Sequence, residues 1–227
     1  MFTKKQLRLE KIAARDMLTP KERREKSEAI VRNILADPVF QKAKTVMIYR
    51  SVRGEVQLDP LPALAPEKRY VYPLCVDKAE MIALCPLSRL DGVGEGEKSP
   101  NGSKVRGTEE GGETPNGSKV RGTEEGGTVA ELSGAWRKGP FGIPEPDPEY
   151  SEIVAPEEID LVLCPCSAFD RRHRRLGMGG GYYDRFLGKC VHAEIIAVAF
   201  AVQEADEVPT EAFDRKMDRV ITENGKI

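Results

Sequence analysis

Two runs in this chain, Leu161-Val162-Leu163 and Ile195-Ile196-Ala197-Val198, contain no polar residue. A strand with one face in water alternates apolar and polar side chains. Unbroken apolar runs of this length mark strands covered on both faces, as in a sheet packed between helices. Residues 45–49, 69–74, 81–87, 159–164, 195–200 and 219–222 read as strands on this basis. Thr19-Pro20-Lys21-Glu22 announces a helix, with Thr19 as N-cap, Pro20 in the first turn and Glu22 completing a capping box. That helix is expected to run to about residue 36 with Ile30, Val31, Ile34 and Leu35 inward. Leu7, Ile12 and Met17 among many charges point to an earlier helix over 2–18. The expected fold class is α/β, a three-layer α/β/α domain with a mostly parallel central sheet.

Composition narrows the partners. A net charge of −2 over 227 residues gives no basic field that would favour nucleic acid or an anionic membrane. No run approaches the roughly 20 apolar residues of a membrane span, and Met1-Phe2-Thr3-Lys4-Lys5 has no apolar signal core. The five cysteines form an odd, scattered set, simplest as reduced thiols of a cytoplasmic protein. Cys164-Pro165-Cys166 invites a metal or redox reading, but a C-x-C pair without a second Cys/His pair makes a poor zinc site.

One stretch stands apart. Residues 100–112 recur unchanged as 115–127, a tandem duplication with a period of 15. Only Val105 and Val120 are apolar in the two copies, so residues 92–128 have nothing with which to build a core. They are expected to be a solvated insertion in a single domain spanning 1–227, because long surface insertions cost little stability. A partner-binding arm is the alternative.

The chemistry concentrates in Arg174 to Leu187, reading RRLGMGGGYYDRFL. Four glycines in five positions let the backbone approach a ligand and adopt positive φ, so that successive N–H groups hold an anion. A helix expected over 183–190 adds its N-terminal dipole. The glycine spacing fits neither the Walker loop nor the dinucleotide fingerprint, since no Gly-Lys-Ser/Thr follows and no strand is expected just before Gly177. The flanking Tyr182-Tyr183-Asp184 would suit a nucleotide and its metal. The basic run Arg171-Arg172-His173-Arg174-Arg175 reads as positive charge at the entrance of an anion site, with RNA binding as the competing view.

These residues resemble the signature of the 5-formyltetrahydrofolate cyclo-ligase family. The resemblance continues through Lys4-Lys5-Gln6-Leu7-Arg8, Ile48-Tyr49-Arg50-Ser51 with Glu55-Val56, Phe141-Gly142-Ile143-Pro144-Glu145-Pro146, and Val208-Pro209 with Phe213-Asp214 and Met217-Asp218. It implies a Rossmann-like fold of CoA-transferase-like architecture, and an ATP-dependent ring closure of 5-formyltetrahydrofolate to 5,10-methenyltetrahydrofolate by a cytoplasmic monomer. It implies ATP contacts at Lys4, Arg8, Arg175, Leu176, Gly177, Met178, Gly179, Gly180, Gly181, Tyr182 and Tyr183. Folate contacts fall at Arg50, Glu55, Phe141 and Tyr182, and magnesium at Asp184 and Asp214, with Asp218 close enough to compete. Arg175, Tyr183 and Asp184 are the expected catalytic group. Trp136 and Phe141 are candidates for stacking on folate rings, with core packing equally open. Arg50, His173 and Met178 depart from the family's usual residues at their positions.

Overall fold

The computed structural model describes residues 2–52, 54–76, 80–87, 135–139, 144–211 and 214–227. The duplicated insertion and Phe141, Ile143 and Phe213 lie outside the described residues. In chain order the elements are α1 (Lys4–Asp16), α2 (Pro20–Leu35), α3 (Pro38–Lys42), β1 (Thr45–Met47), α4 (Leu61–Leu64), β2 (Arg69–Cys75), β3 (Met81–Pro86), β4 (Trp136–Lys138) and β5 (Pro144–Pro146). They continue with β6 (Ser151–Val154), β7 (Leu161–Pro165), β8 (Ala168–Phe169), β9 (Arg175–Leu176), α5 (Tyr182–Leu187), β10 (Glu194–Val198), β11 (Arg219–Thr222) and β12 (Gly225–Lys226).

Eight strands form the main sheet in the order β12-β11-β10-β7-β1-β2-β3-β6. The five central strands, β11 to β2 in that order, pair parallel; β12, β3 and β6 join antiparallel at the two sides. The apolar runs do what their composition requires. Val46, Leu161, Leu163, Ile196, Val198 and Ile221 face a core shared with Ile30, Val31 and Ile34 of α2. Their neighbours Met47, Val162, Cys164, Ile195, Ala197 and Val220 face a second core closed by Phe186 and Leu187 of α5. Alternation sends successive side chains to opposite faces, so a strand with no polar residue needs a helical cover on each.

Both helix starts are set by local hydrogen bonding. Thr3 with Gln6 and Thr19 with Glu22 each form a reciprocal capping box. α1 is shorter than its apolar spacing predicts. Met17 is its C-cap and stands 83% exposed, while Arg15 occupies the inward position. Leu7 anchors the helix in a small third cluster with Ala168, Leu176, Ala205 and Val208. This contact sets α1 against the β8–β9 hairpin and brings the start of the chain beside the glycine-rich loop.

Candidate active site

Parallel strands end together, and the backbone there turns away to leave a crevice. A cleft of about 570 Å³ opens at this edge. Its floor is Tyr49 after β1, Pro73 and Cys75 at the end of β2, and Pro165 and Cys166 at the end of β7. One wall is the loop from Arg175 to Asp184, and Lys4 and Arg8 of α1 reach in from the side. Lys4, Arg8, Arg50, Glu55, Arg175, Leu176, Gly177, Met178, Gly179, Gly180, Gly181, Tyr182, Tyr183, Asp184 and Asp214 all line it.

The loop is built differently from the expectation at both ends. A strand does precede Gly177: β9 ends at Leu176. It pairs only with β8, in a two-stranded hairpin outside the main sheet, so the loop is still no crossover of the dinucleotide type. The helix beyond it is Tyr182–Leu187, starting one residue earlier and ending three earlier than expected. Gly179 (φ 103°) and Gly181 (φ 66°) hold left-handed backbone that a side chain would strain. Arg8 braces this turn. Its Nε donates to the Gly177 carbonyl at 2.8 Å, and its guanidinium packs where a Cβ on Gly179 would reach.

Charge in the cleft is paired across long stretches of sequence. Lys4 Nζ lies 2.5 Å from Asp214 Oδ2 and 3.3 Å from Glu211. Burial acts against the Lys4 charge, but the two carboxylates outweigh it and raise its pKa. Arg175 has only 2% of its side chain exposed; it donates to the Pro165 carbonyl and to Asp184 Oδ1 at 2.9 Å, and lies over the Tyr183 ring. Burial opposes its charge too, and Cys164 and Asp184 restore it. Two polar atoms here are inaccessible and unpartnered among the described residues, Arg175 Nε and Tyr183 Oη.

At the other end, Glu55 closes a tight turn, accepting from the Val52 N–H across Gly54 (φ 76°). Arg50 pairs with Asp59 at 2.8 Å and lies over Trp136. Trp136 packs edge-on to Tyr72 against the α2 core and does not line the cleft, so the packing alternative holds for it. Asp218 is likewise structural: its carboxylate accepts from the Ile195 N–H at 2.7 Å, and it does not line the cleft as Asp214 does.

The arginine run requires a correction. Of Arg171, Arg172, Arg174 and Arg175, only Arg175 lines the cleft. The others pair with Glu204, Glu207 and Asp170. His173 sits at φ 61°, the left-handed conformation for which glycine is suited. Cys164 and Cys166 are buried, and burial pushes the Cys166 thiol up to about 12, far from a reactive thiolate. No cluster of three potential metal ligands occurs among the described residues. Tyr49, Glu145, Cys166 and Glu211 line the cleft without having been singled out for a role. Tyr49, Cys166 and Glu145 stood inside motifs that could have drawn attention to them; Glu211 did not.

Residues 123–223 match the pattern of the 5-formyltetrahydrofolate cyclo-ligase family. A curated relative of that name from Haemophilus influenzae is 38% identical over 80 residues, covering 34% of this chain and 43% of the relative. Another from Mycolicibacterium smegmatis is 40% identical over 83 residues, covering 36% and 43%. These matches thus span less than half of each curated relative's length. A solved structure of 5,10-methenyltetrahydrofolate synthetase from Aquifex aeolicus superposes with a TM-score of 0.70 and 29% identity, over 99% of this chain and 92% of that one.

Proposed function

We propose that this chain, which belongs to the 5-formyltetrahydrofolate cyclo-ligase family, converts 5-formyltetrahydrofolate to 5,10-methenyltetrahydrofolate with hydrolysis of ATP to ADP and phosphate. The observation that carries this reading is the single cleft. It combines a glycine loop, Lys4 and Arg175 with Glu55 and apolar walls. An anionic triphosphate suits the first group and a donor-rich ring system the second.

An amide-like formyl oxygen leaves poorly, and phosphorylation converts it into a good leaving group. N10 of the folate then attacks the formyl carbon, the carbon–oxygen bond to phosphate breaks, and the N10 proton is lost. Phosphoryl transfer asks the protein for alignment and charge neutralisation more than for a nucleophile. Lys4 and Arg175 supply fixed positive charge, and the backbone from Gly177 to Gly181 supplies N–H donors. Arg8 holds that loop in place through Gly177, a bracing role beside any phosphate contact. Tyr182 and Tyr183 flank the transfer point, with Tyr182 also reaching the folate side.

Asp184 and Asp214 would hold magnesium. Two partly exposed carboxylates facing one cleft suit an ion that takes one or two carboxylates and completes its shell with phosphate oxygens and water. When bound, the ion would neutralise phosphate charge. Arg175 would keep Asp184 oriented toward it, and Lys4 would exchange Asp214 for phosphate oxygens. Glu55 and Arg50 would contact the folate, with Phe141 remaining an expectation. We further infer one domain over 1–227 with 92–128 as an insertion, acting as a cytoplasmic monomer; the five free thiols support a reducing compartment. No helix among the described residues is long and apolar enough to cross a membrane.

The test mixes purified chain, ATP and magnesium with 5-formyltetrahydrofolate. The expected result is a rise in the near-ultraviolet absorbance of the methenyl product, with one ADP formed per product. Absence of product overturns the assignment.

A further inference from the structure

Every acidic residue on the nucleotide side of the cleft has a cationic partner. Asp184 pairs with Arg175, and Asp214 and Glu211 with Lys4. Glu145 does not fit this pattern. It stands at the centre of the short strand β5, half-buried in the cleft wall, and among the described residues its carboxylate makes no hydrogen bond or ion pair. Arg137 lies opposite in the β4–β5 hairpin and favours the charged form, but burial outweighs it and raises the Glu145 pKa.

The side chain is held there by a missing neighbour. A Cβ on Gly139 would fall 2.2 Å from the Glu145 carboxyl carbon, so the carboxylate occupies space that only glycine leaves open. The carboxylate thus has acceptor capacity left open to the cleft, with no donor bonded to it among the described residues. Pro73, Met81 and Tyr49 line the same space. A triphosphate would be repelled from such an acid. A ring bearing several N–H donors would satisfy it.

Building on the reaction proposed above, we propose that Glu145 is a specificity-determining residue for the folate substrate, accepting hydrogen bonds from its N–H groups in addition to the contact made by Glu55. The folate brings the reduced pterin's exocyclic amine and ring N–H groups together with the N10–H, more donors than the partly engaged Glu55 carboxylate can accept. Glu145 thereby selects the folate.

The test compares Glu145→Gln with the unmodified chain in steady-state ring closure, varying 5-formyltetrahydrofolate and ATP separately. Replacing a charge-assisted acceptor by a neutral one should raise the folate KM about tenfold or more, with the ATP KM and kcat within about twofold. Gly139→Ala should shift the folate KM in the same direction, because it displaces the carboxylate without removing it. Thermal unfolding midpoints of both variants establish that each is folded. An unchanged folate KM in folded Glu145→Gln overturns the role of Glu145 alone. An equal rise in both KM values also overturns it, as the sign of a structural effect. If the unmodified chain gives no turnover, the reaction and the role of Glu145 fall together.

Discussion

Residues 170–174 and 175–184 follow one another in the chain, the first dense in arginine and the second in glycine, and they are finished in different ways. In the first, the fully buried Asp170 accepts from the backbone N–H groups of Arg172, Arg174 and Val208 and from the Arg174 side chain. Glu204 and Glu207 take up the remaining arginine charge. Most polar groups of this turn are met inside the protein, although Arg174 Nη2 is buried without a partner among the described residues. The second segment lines the cleft from Arg175 to Asp184, and Arg175 Nε and Tyr183 Oη are likewise buried without a partner among the described residues. Composition does not separate a structural turn from a binding loop. Whether the segment lines the cleft does.

The sharpest way to break this contrast is Asp184→Asn. It keeps the shape but removes the partner of Arg175 and a proposed metal carboxylate. Turnover should fall on the order of 10²- to 10³-fold, with a small change in unfolding midpoint. Near-normal turnover would place the binding function elsewhere.

Asp170→Asn should do the reverse, costing about 3 kcal/mol of stability in urea titration with the KM values unchanged, since an acceptor of several donors inside the protein is replaced by a mixed donor. Its pH dependence carries a sign. Burial pushes the Asp170 carboxyl up, but the Val208, Arg174 and Arg172 N–H groups and the Arg174 guanidinium hold it below the usual aspartate value. Its stabilising contribution is therefore complete above the unfolded pKa. It is lost as pH falls from about 4 toward the lower folded value. Stability of the Asn variant should lack that component of acid sensitivity, and an identical acid profile would contradict the assignment.

His173→Gly is the smallest expected effect. It relieves the left-handed strain, offset by the greater freedom of glycine in the unfolded chain, for a net gain of about 0.5 kcal/mol in the same titration. Activity should not change; a loss would show that the histidine serves the cleft.

Much of the fold was legible because its determinants are local. The central strands were marked by their composition, and α2 by Thr19, Pro20 and Glu22. The end of α1 was misjudged because spacing assigned Met17 inward, whereas contact with the β8–β9 hairpin fixed which face is buried. In the cleft, the residues of the loop were legible as a group, while their partners were not. Lys4 and Asp214 are 210 positions apart, and Arg8 and Gly177 are 169 apart. No local pattern carries such pairings.

The sequence by itself determined a sheet covered on both faces, the helix starts, and a glycine-dense loop competent to hold an anion. These follow from side-chain period, capping chemistry and backbone freedom, which act over a few residues. Only the tertiary structure decided that Arg175 turns into the cleft while Arg174 turns away. It likewise decided that Asp214 faces the cleft whereas Asp218 is tied to β10, and that Glu145 stands there with no hydrogen bond or ion pair among the described residues. Arg174 is held by Asp170 and Glu207, whereas Arg175 opens β9 and reaches Asp184. Which of the two meets the cleft depends on how α1, β7 and the hairpin pack together, and that is a property of the whole chain.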